Sequence, residues 1–132
     1  MNQVDVLKGL KYNVLSETQE RSLAHSLNVS YTYNKIDYSK AIYYEEYENV
    51  EQINEDKLIL KSWNSDYYYL FLLSVTEDEF SFSARMSELY PYIIDIISNS
   101  TIDHFFYCPE YDILIEASLF KFETIVSQGL FT

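Results

Sequence analysis

The spacing of apolar residues changes period along the chain, and each change marks a predicted element. SETQ at 16–19 sets the Ser16 hydroxyl three residues ahead of Gln19, the capping-box spacing in which each side chain serves the other's amide. Leu23, Ala24 and Leu27 then share one face, so a helix begins here. NVSYTYN at 28–34 alternates Val29, Tyr31 and Tyr33 against Ser30 and Thr32, which predicts a strand with one wet face. KLILKSW (57–63) and YYYLFLLSV (67–75) favour strand and flank NSD, so a hairpin is expected. The second segment is apolar on both faces, with Tyr67, Tyr69, Phe71, Leu73 and Val75 on one and Tyr68, Leu70 and Leu72 on the other. Such a strand aggregates at an edge, so it belongs in the middle of a covered sheet.

TEDE (76–79) turns the chain into FSFSA (80–84), where Phe80 and Phe82 alternate with serines and complete an expected three-stranded meander. Met86, Leu89, Tyr90, Ile93, Ile94 and Ile97 fall at helical spacing, with Ser87 as cap and Pro91 near the first turn. HFFYC (104–108) and DILIEA (112–117) read as strands joined by PEY, and a final helix runs from Ser118 to a stop at Gly129. Short turns between successive strands imply antiparallel pairing. The expected class is α+β: a largely antiparallel sheet of about five to six strands covered by two to four helices, one compact domain over 1–132.

Composition narrows the functional classes. The 132 residues are 48% hydrophobic and include fourteen tyrosines and eight phenylalanines, enough bulky side chain for a folded core. The glycines Gly9 and Gly129 lie near the ends, leaving no glycine-rich loop for a phosphate, so P-loop and dinucleotide readings are excluded. A single cysteine, Cys108, excludes an internal disulfide and a multi-cysteine zinc site, and it fits a reducing, cytoplasmic setting. The start MNQVDVLKGLKY has no basic head and apolar core of a signal peptide, and the run at 67–75 is about half a membrane span. A soluble protein starting near Met1 is expected. The triplets NVS at 28–30 and NST at 99–101 are expected to stay unglycosylated.

Charge is uneven within the net −12: residues 1–61 hold ten acids against seven bases, whereas 62–132 hold eleven acids against Arg85 and Lys121. Such a field repels nucleic-acid phosphates and anionic lipid, and it speeds encounter with a basic protein. Direct nucleic-acid or membrane binding is not expected, and nothing in the pattern selects an oligomeric state.

Catalytic signals are sparse. His104 and Cys108 would share a strand face, but at about 3.3 Å rise per residue they sit roughly 13 Å apart, too far for a nucleophile and its base. Cys108 therefore reads as a small buried side chain and His25 as a surface residue. No metal-ligand or calcium-loop spacing occurs, and TEDE reads as a charged turn. Neither a metal nor a cofactor is expected.

The most distinctive segment is AIYYEEYENVEQINED (41–56), with six carboxylates, three tyrosines and no lysine or arginine. A bland account makes it a solvated helix that buries Ile42, Tyr47, Val50 and Ile53 and points its glutamates at water. That account leaves an un-neutralised cluster, although like charges three or four residues apart are mutually unfavourable. Tyrosine is a favoured interface anchor, and acid around it complements an Arg/Lys-rich cleft. The expected partner-binding residues are Tyr43, Tyr44, Glu45, Glu46, Tyr47, Glu48, Glu51 and Asp56, facing a basic protein.

The small acidic chain, its many aromatics and the C-terminal HFFYCPEYDILIEASLFKFETIV resemble bacterial immunity proteins of contact-dependent and polymorphic toxin systems. The likeness covers about residues 104–126 plus overall composition, without a residue-by-residue signature. It implies a non-enzymatic, cytoplasmic inhibitor of one cognate toxin. A rival within the binding class is a DNA mimic that disables a nucleic-acid-binding defence enzyme. A rival outside it is a small enzyme using carboxylates and His104.

Overall fold

The computed structural model describes residues 3–32, 35–63, 68–72, 81–98, 104–118 and 123–130. Its first long element is the predicted one. The Ser16 amide donates to Gln19 Oε1 at 3.1 Å and the Gln19 amide to Ser16 Oγ at 3.2 Å, so the capping box is closed. Behind it runs helix α2 (Glu17–Ser30), preceded by the short α1 (Gln3–Val6) and strand β1 (Asn13–Val14). Once nucleated, a helix gains one hydrogen bond for each residue added. Residues 28–30 accordingly continue α2, and the strand expected over 28–34 shrinks to β2 (Tyr31–Thr32), paired with β3 (Lys35–Ile36).

Strand β4 (Tyr43–Tyr47) follows, then a 3-10 helix (Val50–Glu55) and helix α3 (Lys57–Ser62). The segment 57–62 is thus helical where a strand was expected. The cause is local: Asp56 accepts the amides of Leu58 and Ile59 at 2.9 and 3.1 Å, capping the first turn. With α3 helical, there is no 57–75 hairpin and no meander beginning at residue 57. The turns expected at 64–66 and 76–79, together with Tyr33, Tyr67, Leu73, Val75 and Phe80, lie outside the described residues.

The remaining elements are β5 (Tyr68–Leu72), β6 (Phe82–Arg85), α4 (Met86–Ser98), β7 (His104–Cys108), β8 (Ile113–Ser118) and β9 (Glu123–Gln128). Seven described strands form one sheet in the order β1-β6-β5-β7-β8-β9-β4, every pairing antiparallel. The protein is α+β, as its pattern predicts, and β5 is interior to the sheet, paired on both sides. Residues 123–128 are a strand, not the expected helix. The β-branched run Thr124, Ile125, Val126 is held between β8 and β4 and buried on both faces, and that environment overrides any helical spacing.

One face of the sheet carries Phe82, Phe106, Ile113, Ile115 and Val126 against Leu89, Ile93 and Ile97 of α4, with Leu7, Ile53 and Ile59 closing the core. In α4, Ile96 is buried and Ile94 exposed, so the inward stripe sits slightly off the expected one. The helix starts at Met86, leaving Ser87 inside its first turn and Pro91 in its interior, where the exposed pyrrolidine faces away from the core. The other face packs Phe105 and Leu114 beneath Ile36, Leu23 and Tyr38.

Candidate functional site

The stretch 41–56 is neither the solvated helix nor a uniformly exposed cluster. Its first half is the edge strand β4, paired with β9 from Tyr43 opposite Gln128 to Tyr47 opposite Thr124. Successive strand residues face opposite sides. Tyr43, Glu45 and Tyr47 therefore share one face, and Tyr44 and Glu46 the other.

On the first face, Tyr43 and Tyr47 lean on the main core, and both hydroxyls donate to Asp56 Oδ2, at 2.8 and 2.7 Å. The other oxygen of Asp56 caps α3. Four hydrogen bonds thus converge on a carboxylate only 1% exposed. Burial raises both phenol pKa values, and the Asp56 carboxylate adds to the rise; Tyr43 reaches about 12. Lys57 Nζ sits 5.0 Å from the centre of the Tyr43 ring, a cation–π contact. Of the expected contact residues, Tyr43, Tyr47 and Asp56 are the ones the fold draws inward.

The outward set is Tyr44, Glu45, Glu46, Glu48 and Glu51, all exposed. Beyond β4, Gln52 Oε1 accepts the amides of Glu48 and Asn49 at 2.9 and 3.3 Å, while Val50 and Ile53 anchor the 3-10 helix in the core. Tyr90 of α4 donates to the Glu51 carbonyl at 2.7 Å, and its ring packs tilted against Trp63 with centroids 5.2 Å apart. Glu48 and Glu51 are consequently displayed from a fixed backbone. Between described residues the ion pair is Arg21–Glu17 within α2, and no lysine or arginine pairs with this acidic set. Ile42, expected as a buried contact, is 78% exposed at the entrance to β4.

The second face of β4 recruits residues that the linear pattern did not single out. Tyr44 hydrogen-bonds to Glu46 and meets the Tyr38 ring edge-on at 5.2 Å, and the Tyr38 hydroxyl donates to Glu116 Oε1 at 2.6 Å. Burial first, then the hydrogen bond to Glu46 and the charges of Glu46, Glu123 and Glu116, raise the Tyr44 pKa. The signal available in the sequence was the alternation of Glu116 and Glu123 with apolar neighbours; which strand they would face was not.

Of the catalytic candidates, Cys108 and His104 are buried and His25 is not. Cys108 is buried, its thiol 3.7 Å from Glu110 Oε2, and burial raises its pKa to about 11, so at neutral pH it is a thiol. His104 is buried four residues away on the same strand, and His25 is exposed on α2. Among the described residues no three His, Cys, Asp or Glu side chains converge to hold a metal ion, and no helix is long and apolar enough to cross a membrane. A cleft of about 460 Å³ opens near the opposite sheet edge, lined by Leu10, Lys11, Tyr12, Asn13, Arg85 and Glu88. None of the acidic contact residues reaches it. No protein-family model matches this chain, and no curated protein matches it.

Proposed function

We propose that this chain is a cytoplasmic immunity or inhibitor protein that binds a basic toxin, such as a nuclease, and occludes its active cleft. It acts by binding rather than by catalysis. The observation that carries this reading is the exposed acidic edge itself: Glu45, Glu46, Glu48 and Glu51 on a strand and 3-10 helix, with no lysine or arginine paired to them among the described residues. Unpaired like charges on an edge strand deter random strand addition and steer a basic partner toward the same place. Tyr44, 42% exposed among them, supplies the aromatic anchor. Tyr43, Tyr47 and Asp56 support that surface from beneath and are not part of the contact.

The test is capture from a lysate of the native host and its close relatives at low and high salt, with mass spectrometry of what is retained. The expected result is one basic protein in stoichiometric amount, released by salt, whose purified activity this chain inhibits. The triple variant Glu45→Lys, Glu46→Lys, Glu48→Lys should keep the wild-type circular dichroism and lose that protein. Unchanged affinity in the triple variant overturns the assigned surface. Retention of many unrelated DNA-binding proteins would favour the DNA-mimic alternative.

A further inference from the structure

At the sheet edge opposite β4, the cleft of about 460 Å³ lies between residues 10–13 and the junction of β6 with α4. Its walls are held from behind. Leu10 belongs to the main core, the Tyr92 hydroxyl of α4 donates to the Lys8 carbonyl at 3.3 Å, and the Tyr12 ring meets Phe82 edge-on at 5.4 Å. Gly9 turns the chain between these anchors at φ +94°, where a Cβ would stand 2.9 Å from the Tyr92 hydroxyl. Strand β1 then pairs Asn13 with Ser83. The opening is thus formed by the folded chain itself, and its size falls within the roughly 300–1,000 Å³ of small-molecule sites.

Its chemistry runs against that of the rest of the molecule. In a chain of net charge −12, Lys11 and Arg85 both line this cleft, against one acid, Glu88. Counting back along the antiparallel pairing from Asn13 opposite Ser83 brings Lys11 level with Arg85, so two like charges share one opening. Like charges set opposite each other are unfavourable, and an anion between them turns repulsion into attraction. Lys11 is exposed and forms no ion pair among the described residues. Arg85 is half-buried, and the five donors of a guanidinium let it serve an anion and a neighbour together. Glu88 lies in the first turn of α4, where the positive end of the helix suits a carboxylate. Two cations less one acid leave the cleft a single positive charge, which matches one carboxylate and penalises a second negative charge. Leu10 and Tyr12 add an apolar and an aromatic wall.

We propose that this cleft binds a small organic monocarboxylate, with its carboxylate between Lys11 and Arg85 and its apolar body against Leu10 and Tyr12. The site is independent of the inhibitor reading, because β1 and β4 are the two outer strands of the sheet and the acidic edge belongs to β4. A guanidinium presents parallel donors to a planar carboxylate, and a lysine ammonium adds a point charge beside it. A dianion such as phosphate brings its second charge toward Glu88. A neutral amide of the same shape forfeits the attraction of both cations.

The probes are benzoate, benzamide and inorganic phosphate, titrated at pH 7.5 into the isotope-labelled full chain and followed by amide chemical shifts. Benzoate should saturate in the millimolar range and shift residues 10–13 and 85–88. Benzamide should give no saturable shift, and phosphate should bind about fivefold more weakly than benzoate. Lys11→Gln should keep the wild-type circular dichroism and weaken benzoate about fivefold, whereas Lys8→Gln, a charge change outside the lining, retains it. Glu88→Gln should erase the preference for benzoate over phosphate, a change that a merely structural role for Glu88 would not produce. The proposal is overturned by the absence of a saturable benzoate shift, by shifts centred elsewhere, or by equal binding of benzoate and benzamide. Unchanged affinity in Lys11→Gln overturns it as well.

Discussion

The Tyr47 hydroxyl donates to Asp56 Oδ2 at 2.7 Å, tying the end of an edge strand to the cap of the helix nine residues later. Tyr43 makes the same bond from the start of the strand. The segment that looks most like a uniform binding surface is therefore half interior, and Asp56 is its keystone. Asp56→Ala removes the α3 cap and strands two phenols, a loss of about 3 kcal/mol. Thermal denaturation should show a midpoint roughly 10 °C lower. Asp56→Asn keeps the capping oxygen and should fall less than half as far. Equal stability of Asp56→Ala and wild type would show that the cap and the phenol bonds contribute little.

The same bonds make the fold sensitive to alkali. Burial first, and then the Asp56 carboxylate, hold the Tyr43 phenol neutral up to about pH 12, above the ordinary tyrosine value of 10. Between those pH values the unfolded chain releases this proton and the folded chain keeps it, so stability falls as pH rises. The contribution is fully present below about pH 10 and is lost on the way to about pH 12. Absorbance at 295 nm, followed beside far-ultraviolet circular dichroism, should report ionisation coupled to unfolding in that window. Tyr43→Phe should flatten the slope.

Gly129 ends β9 at φ +84°, a left-handed conformation that suits glycine, and a Cβ there would stand 2.7 Å from Ile42 Cγ1. Gly129→Ala should destabilise by about 1–2 kcal/mol. Because Ile42 is exposed, its side chain can yield. Adding Ile42→Ala should consequently recover only a small part of the loss, and urea denaturation of both variants separates backbone strain from the clash. Full recovery in the double variant would assign the cost to the clash alone.

Cys108 should be inert in the native state. With its pKa raised to about 11 chiefly by burial, its thiolate fraction at pH 8 is on the order of a hundredfold below that of an open cysteine. Labelling with a chromogenic disulfide should be slow in buffer and rapid in denaturant. Fast stoichiometric labelling of the native chain would bring Cys108 back as a reactive group.

Association with the captured partner should be steered by charge. The rate of association should fall about tenfold or more as sodium chloride rises from low to physiological concentration, while the dissociation rate changes less. Glu48→Lys and Glu51→Lys, at the rim, should act mainly on the association rate, and stopped-flow fluorescence distinguishes the two effects.

Much of the fold was legible because it is written in short-range spacing. The capping box at Ser16 and Gln19, the apolar stripe from Met86 to Ile97, the strand pair meeting at Pro109 and the anchors Val50 and Ile53 all depend on neighbours a few residues apart. Two segments of six residues were not legible. Lys57–Ser62 and Glu123–Gln128 are too short for a period to separate helix from strand, and each was decided from outside, one by the Asp56 carboxylate and the other by strands on both sides.

The same division runs through the candidate site. The sequence by itself determined that the chain is acidic, rich in tyrosine and centred on an unusual run at 43–56. Only the tertiary structure turned Tyr43 and Tyr47 inward, left Tyr44 outside, and brought Tyr38 to Glu116 across 78 residues. Strand alternation assigns faces only once a partner strand exists, and β4 finds its partner in β9 at the far end of the chain. Local composition records which charges are present; the pairing of distant strands decides which of them meet.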